Sequence, residues 1–321
     1  MDSIYASSIA EPARPRPEDN EDQFGYRRIG DRYALIVCDG VSSSPHAQEA
    51  ARLACDSFIG YVEDSDPANG PPWNELIVSA ILHAHRLILQ RFPGGDALTN
   101  ATAALVINRE NRLVVGTVGD SPAYYVHEDA LTLCTPADVR LVARLQNRKT
   151  IIHSGMPILD HAVTASLGAR QTLEPHVFTV CYEPGDAIVL CTDGVTMGTV
   201  ETIVQNRYSL NQQDMDDWLR QSSHETDDDA TLVIMLLGRG SSIVELDHQL
   251  ERYVELSVTE KQELLSRLTQ SCYKPLPALL SCYELESGEA LKISIYHLLG
   301  GKIPREKRIA LADDAARRGQ P

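Results

Sequence analysis

Four acidic clusters in this chain have the residue types and the setting for metal chemistry. Residues 36–40 read Ile-Val-Cys-Asp-Gly and residues 189–194 read Val-Leu-Cys-Thr-Asp-Gly, two apolar runs that each end in Asp-Gly. A buried strand that delivers a carboxylate at its tip, followed by a turn glycine, holds a metal ligand on a rigid element. Asn20-Glu21-Asp22 and Asp227-Asp228-Asp229 lie beside similar apolar runs, and no His or Cys cluster accompanies any of the four. Together they point to a site built from oxygen ligands.

The elements that must position these groups can be read from periodicity. Tyr33–Cys38 reads as a buried strand, and helical spacing of apolar residues runs through Pro45–Val62 and Asn74–Phe92. Strand-like runs follow at Ala101–Asn108, Leu113–Val118, Ala123–Val126 and Leu131–Cys134, with Gly119-Asp120-Ser121-Pro122 supplying the turn of a hairpin. Residues 136–165 are weakly patterned, which predicts a helix and a mobile flap. Phe178–Tyr182 and Ala187–Cys191 read as strands around the Pro184-Gly185-Asp186 turn, residues 197–222 as helical, and Ala230–Leu237 as a closing buried strand. The serines of Val41-Ser42-Ser43-Ser44-Pro45-His46 suit a loop capping the helix that begins near Pro45. Strands and helices in blocks predict an α+β fold with antiparallel sheets.

Size and charge narrow the function. At 321 residues the chain can bury a full core plus an appendage. Its net charge of −16 offers no broad cationic surface to phosphates, which excludes a general nucleic-acid binder. Residues 241–321 hold 11 Lys and Arg against 12 Asp and Glu, leaving 18 against 33 in residues 1–240, where the acidic clusters lie. Apolar stretches are of strand length, and Glu11 and Pro12 stand where a secretory signal would be apolar. The seven cysteines form no C-x-x-C pair; Cys38, Cys181 and Cys191 read as small buried hydrophobes, and the expected compartment is reducing, hence cytoplasmic.

The chain divides into an irregular segment 1–15, rich in proline, a main domain 16–240, and a helical extension 241–321. In the extension Ile243, Leu246, Leu250, Tyr253 and Val254 mark one helix, and Ser257 with Glu260 forms a capping box for the next. Ser287 opens another, Gly300-Gly301 ends it, and Pro304 can begin one more.

The ordered fragments of residues 16–237 resemble the type-2C metal-dependent serine/threonine protein phosphatases (the PPM family). Asn20-Glu21-Asp22 is similar to the family's N-terminal acidic motif and Val37-Cys38-Asp39-Gly40 to its first Asp-Gly. Ala101-Thr102-Ala103, Val118-Gly119-Asp120-Ser121 and Val163-Thr164-Ala165-Ser166-Leu167-Gly168 resemble its central motifs. Gly185-Asp186 with Cys191-Thr192-Asp193-Gly194 resembles the second Asp-Gly, and Asp228-Asp229-Ala230-Thr231 the closing Asp-Asn-x-Thr.

The resemblance implies a four-layer αββα sandwich of two antiparallel sheets flanked by helices, followed by the all-helical appendage. It also implies hydrolysis of phosphoserine and phosphothreonine in proteins by a metal-activated water. Two ions, with a third and weaker one, would sit at the site, and oxygen-only ligands favour Mn²⁺ or Mg²⁺. Carried over by motif, Asp39 bridges the two metals and Gly40 lends its carbonyl. Asp193 and Asp228 complete the first metal's ligands, Glu21 with Asp22 serves the second, and Asp120 matches the weaker site. Arg16 is the phosphate clamp, although it precedes Glu21 by five residues where the family spacing is four, and Pro17 holds the expected place.

There are further departures. No His follows Asp39-Gly40 directly, and His46 reads as a helix-start surface residue. Pro122 stands where Arg is frequent, Ala137-Asp138-Val139-Arg140 replaces an Asp-His-Ser segment, and Asp229 replaces Asn. The expected partners are a phosphorylated protein substrate and a protein that contacts the helical tail, with neither nucleic acid nor membrane. The alternative is a pseudophosphatase, the same fold used with its tail as a regulatory binding module. A different metallohydrolase on a similar scaffold is a third reading.

Overall fold

A computed structural model describes residues 2–13, 19–66, 70–143, 145–146, 149–150, 152–153, 156–157, 159–170, 172–238, 246, 248–270 and 276–299. The chain forms two compact units, one of residues 1–107 and 112–238, the other of residues 108–111 and 239–321.

Two five-stranded sheets make the first unit. One has the order β14 (His176–Cys181), β5 (Arg112–Val118), β4 (Thr99–Ile107), β3 (Arg32–Gly40), β2 (Gln23–Ile29). The other runs β1 (Ser3–Ile9), β16 (Ala230–Leu236), β15 (Ala187–Cys191), β6 (Ala123–His127), β7 (Ala130–Leu133). Every pairing is antiparallel.

The central strands are apolar on both faces because both faces are covered. In β3, Tyr33, Leu35 and Val37 meet Ile188, Leu190, Val233 and Met235 of the facing sheet. Alternate residues Ala34, Ile36 and Cys38 meet the helices α1 (Ala47–Asp64) and α2 (Trp73–Arg91) through Ala50, Ala54, Phe58, Ile77 and Ile81. Alanines at 47, 50, 51 and 54 form one helix stripe and let α1 lie close on the sheet. The second sheet buries its outer face, with Val189, Leu232 and Ile234, under α3 (Met197–Gln205) and α4 (Gln212–Thr226) through Val200, Ile203, Met215 and Leu219. The layers are therefore helix, sheet, sheet, helix, as the family resemblance implies.

Four local expectations are corrected. Residues 3–9 are not irregular: Ser3–Ile9 pairs along its length with β16, Ser3 opposite Leu236 and Ile9 opposite Ala230. Gly119–Pro122 is not a hairpin turn, because β5 and β6 belong to different sheets and the turn crosses between them. In 136–165 the described residues form strands rather than a helix. β8 (Val139–Ala143) pairs with β13 (Leu159–Val163), and the two-residue strands β9–β12 (Leu145–Gln146, Lys149–Thr150, Ile152–His153, Met156–Pro157) lie between them. Cys38 and Cys191 are buried free thiols, but Cys181 is exposed at the end of β14 and is disulfide-bonded. Its alternating strand has only one covered face, so the last position points to solvent.

The second unit has its own core of Leu246, Leu250, Tyr253, Leu264, Leu268, Leu279 and Ile295. Its helices are α5 (Val258–Gln270), α6 (Leu276–Leu285) and α7 (Glu289–Leu299). The capping box is formed: Ser257 N–H donates to Glu260 Oε2 at 2.8 Å, and Glu260 N–H to Ser257 Oγ at 3.3 Å. Ile243, Gly300-Gly301 and Pro304 lie outside the described residues. No helix among the described residues is long and apolar enough to cross a membrane.

Candidate metal centre

Asp39 shares the strand parity of Tyr33, Leu35 and Val37, so its side chain emerges at the inter-sheet face just where β3 ends. Asp120 arrives on the crossing turn after β5, and Asp193 follows the tip of β15. One carboxylate oxygen from each of Asp39, Asp120 and Asp193 lies within 4.8 Å of the others. Asp39 and Asp120 are half-buried, and Asp193 is open to solvent.

These charges work against one another. Burial first, then Asp193 and Asp120, push the Asp39 carboxyl well above the usual range, opposed by a hydrogen bond from Asn100. Asp193, although its side chain reaches solvent, is raised by partial desolvation of its carboxyl in the cluster and then by Asp120. Asp228 is pushed up to about 6 by burial and then by Asp193. Asp22, itself buried, is raised well above the usual range by burial and then by Asp39, with hydrogen bonds from Thr231 and Thr192 opposing. A carboxylate group arranged this way is stabilised by an added cation, and its all-oxygen chemistry suits a hard divalent ion.

Neighbouring residues fix the geometry. Gly40 fits only as glycine, since a Cβ there would stand 2.7 Å from the Glu21 carbonyl oxygen and 3.0 Å from Ala47 Cβ. Asp229, 2% exposed, accepts the backbone N–H of Glu21 at 2.7 Å and of Glu11 at 2.8 Å, tying the N-terminal acidic motif to the start of β16. Thr192 Oγ1 donates to Asp22 Oδ2 at 2.9 Å and accepts the Thr231 N–H at 3.1 Å. Asn100 sits opposite Asp39 in the β3–β4 register and donates to Asp120 Oδ1 at 2.7 Å and to Asp39 Oδ2 at 3.3 Å. Its own carbonyl accepts Ser166 Oγ at 3.0 Å. Gly119 has φ of 101°, and a Cβ there would collide with the Asn100 side chain.

Of the residues singled out in sequence, Asp39, Asp120 and Asp193 converge, and Asp22 and Asp228 bear on them electrostatically. Glu21 is anchored through its backbone beside Gly40. Arg16 and Pro17 lie outside the described residues. The serine run does not cap α1, whose first residues have no side-chain cap. Ser44 instead donates to Asp96 O at 2.6 Å and accepts the Leu98 N–H at 3.0 Å, pinning the loop to the approach of β4. His46 stacks on Phe92 at the surface, 4.9 Å between ring centroids. Sequence reasoning missed Asn100, although a polar residue opening a buried strand was a usable signal. The backbone clamps made by Asp229 and Asp138 depend on tertiary contacts and left none.

The family described as protein phosphatase 2C matches residues 14–255. No curated protein matches the chain in sequence. Among solved structures, the Mycobacterium tuberculosis serine/threonine phosphatase PstP/Ppp is 21% identical, covers 74% of this chain and 99% of its own, and superposes with a TM-score of 0.55. The PstP catalytic domain in complex with two manganese ions is 20% identical over 74% of this chain and 98% of its own, TM-score 0.53. RsbX in complex with magnesium is 12% identical over 74% of this chain and 96% of its own, TM-score 0.50. At these identities the likeness establishes the fold.

Proposed function

This chain belongs to the protein phosphatase 2C family, and from that premise we propose that it hydrolyses phosphoserine and phosphothreonine in proteins. The observation that carries the proposal is the convergence of Asp39, Asp120 and Asp193 within 4.8 Å at the tips of separate elements. Asp39, Asp193 and Asp228, with Glu21, Asp22 and the Gly40 carbonyl, would hold two Mn²⁺ or Mg²⁺ ions, and Asp120 a weaker third. Bound there, such ions activate water and neutralise phosphate oxygens.

The chain's own part is orientation. Asn100 ties the Asp39 and Asp120 carboxylates together by donating to both. Asp229 and Thr192 hold the Glu21-Asp22 motif against the tip of β3. The exposure of Asp193 leaves the cluster open to a phosphorylated side chain presented from solvent. Arg16 remains our candidate for gripping the phosphate.

The test is hydrolysis of p-nitrophenyl phosphate and of a phosphothreonine peptide with added Mn²⁺ or Mg²⁺. Turnover should be abolished by EDTA, and lost in Asp39→Asn and Asp193→Asn. Purified wild-type protein that neither turns over these substrates nor binds Mn²⁺ would overturn the reading.

A further inference from the structure

We propose that His176 is a positioning residue for the metal centre, acting through Asp138 to fix the Gly119 peptide and with it the aim of Asp120. The inference rests on the metal-binding reading given above. Asp138 grips Gly119 from both sides of its residue: Asp138 Oδ2 accepts the Gly119 N–H at 3.0 Å, and the Asp138 N–H donates to Gly119 O at 2.8 Å. Its other carboxylate oxygen, Oδ1, lies 2.9 Å from His176 Nε2. The main chain of Asp138 is held in turn by the Thr164 N–H, which donates to its carbonyl at 2.7 Å.

His176 is the first residue of β14 and pairs with Thr117 of β5, two residues before Gly119. The imidazole therefore comes from a strand hydrogen-bonded to the very strand that delivers Asp120, which gives the arrangement a rigid base. The turn needs such support. Gly119 adopts a backbone conformation open mainly to glycine, and glycine has the most freedom to leave it. The result is a chain of contacts, His176 to Asp138 to Gly119, with Asp120 next and Asn100 linking Asp120 to Asp39.

The pair is only partly buried, with side-chain exposures of 36% for His176 and 17% for Asp138. A hydrogen-bonded side-chain pair so exposed adds little to overall stability. Outer-shell partners of metal ligands, by contrast, typically change metal affinity or activity about 10- to 100-fold when removed.

The experiment compares metal-free full-length wild type, His176→Ala and His176→Gln. Mn²⁺ binding is read by titration calorimetry, the metal-free melting temperature is measured, and p-nitrophenyl phosphate kinetics are followed. We expect His176→Ala to weaken the weakest Mn²⁺ step about tenfold and lower kcat, with KM and the metal-free melting temperature unchanged. His176→Gln, which can still donate to Asp138, should restore both Mn²⁺ affinity and kcat. Unaltered Mn²⁺ binding in His176→Ala overturns the inference. So does a loss that Gln fails to restore and that accompanies a lower melting temperature, since a purely structural pair would behave that way. Wild-type protein that binds no Mn²⁺ removes the metal reading and this inference with it, whereas intact wild-type binding beside an unaffected His176→Ala removes the inference alone.

Discussion

Buried acids occur in both units of this protein, and they are treated in opposite ways. In the helical unit Glu286 is 7% exposed, yet its partners are all supplied by the chain. Its Oε2 accepts the Tyr253 hydroxyl at 2.8 Å and the Lys261 ammonium at 3.1 Å, and its Oε1 accepts the Gly288 N–H at 2.7 Å. Burial acts to raise its pKa, but these three groups together hold it below the usual carboxylate range. At the candidate metal centre Asp39, Asp193 and Asp228 feel the charge of other acids rather than of a cation, and all are displaced upward. The first arrangement is complete as folded, whereas the second, on the proposed reading, would be balanced by bound cations. Burial of an acid therefore does not mark a site; what surrounds the acid does.

Exchange at the centre should separate the two most sharply. Asp39→Asn is expected to lower phosphatase activity about a thousandfold, the scale of several kcal/mol of metal-derived stabilisation. It should also raise the melting temperature of the metal-free protein, because it removes a charge that burial and its neighbours disfavour. Activity assays and metal-free melting curves check the pair of outcomes, and a lowered melting temperature would break the comparison. The opposite sign is expected at Glu286. Glu286→Ala leaves the Lys261 ammonium and Tyr253 hydroxyl without their acceptor, at a cost of about 3 kcal/mol to the helical unit. Chemical denaturation should show it, with phosphatase activity retained.

Acidity provides a smaller probe. Burial and then Asp193 push the Asp228 carboxyl up to about 6 in the folded metal-free protein, from an ordinary value of 3.8. A raised carboxylate binds its proton in the folded state first, so lowering the pH from about 6 toward 3.8 should stabilise the metal-free fold through this group. The same protonation competes with metal. Mn²⁺ affinity should therefore fall below pH 6, by up to about tenfold per pH unit for each proton displaced. Calorimetric titrations between pH 7 and 5 measure the second effect and melting curves the first. The smallest change is expected at the capping box: Ser257→Ala should cost the helical unit about 1 kcal/mol and leave metal binding untouched.

Sequence made the strand tips legible because hydrophobic runs ending in Asp-Gly record both burial and interruption. Asp39 and Asp193 fall where those runs stop, and the structure brings them together. Periodicity could not say which sheet a strand joins. Gly119–Pro122 has the composition of a hairpin turn, but β6 pairs with β7 on one side and with β15, more than 60 residues later, on the other, never with β5. For the same reason β1 escaped notice: Ser3–Ile9 alternates weakly, and its strand character comes from β16 beside it. Residues that act through backbone groups, such as Asp138 and Asp229, carry no pattern of their own, since what they bind is a peptide unit rather than a side chain.

The pairing of β1 with β16 also sets an order of events during synthesis. Residues 3–9 leave the ribosome well before their partners at 230–236, which follow more than 200 residues later. Until then the first strand has nothing to join, and Glu21 lacks the Asp229 carboxylate that holds its backbone. The helices and the β2–β5 sheet can form from nearer contacts, which close faster than distant ones. The acidic motif at residues 20–22 is made before its partners, so a nascent chain that has not yet reached residue 229 cannot assemble the candidate metal centre.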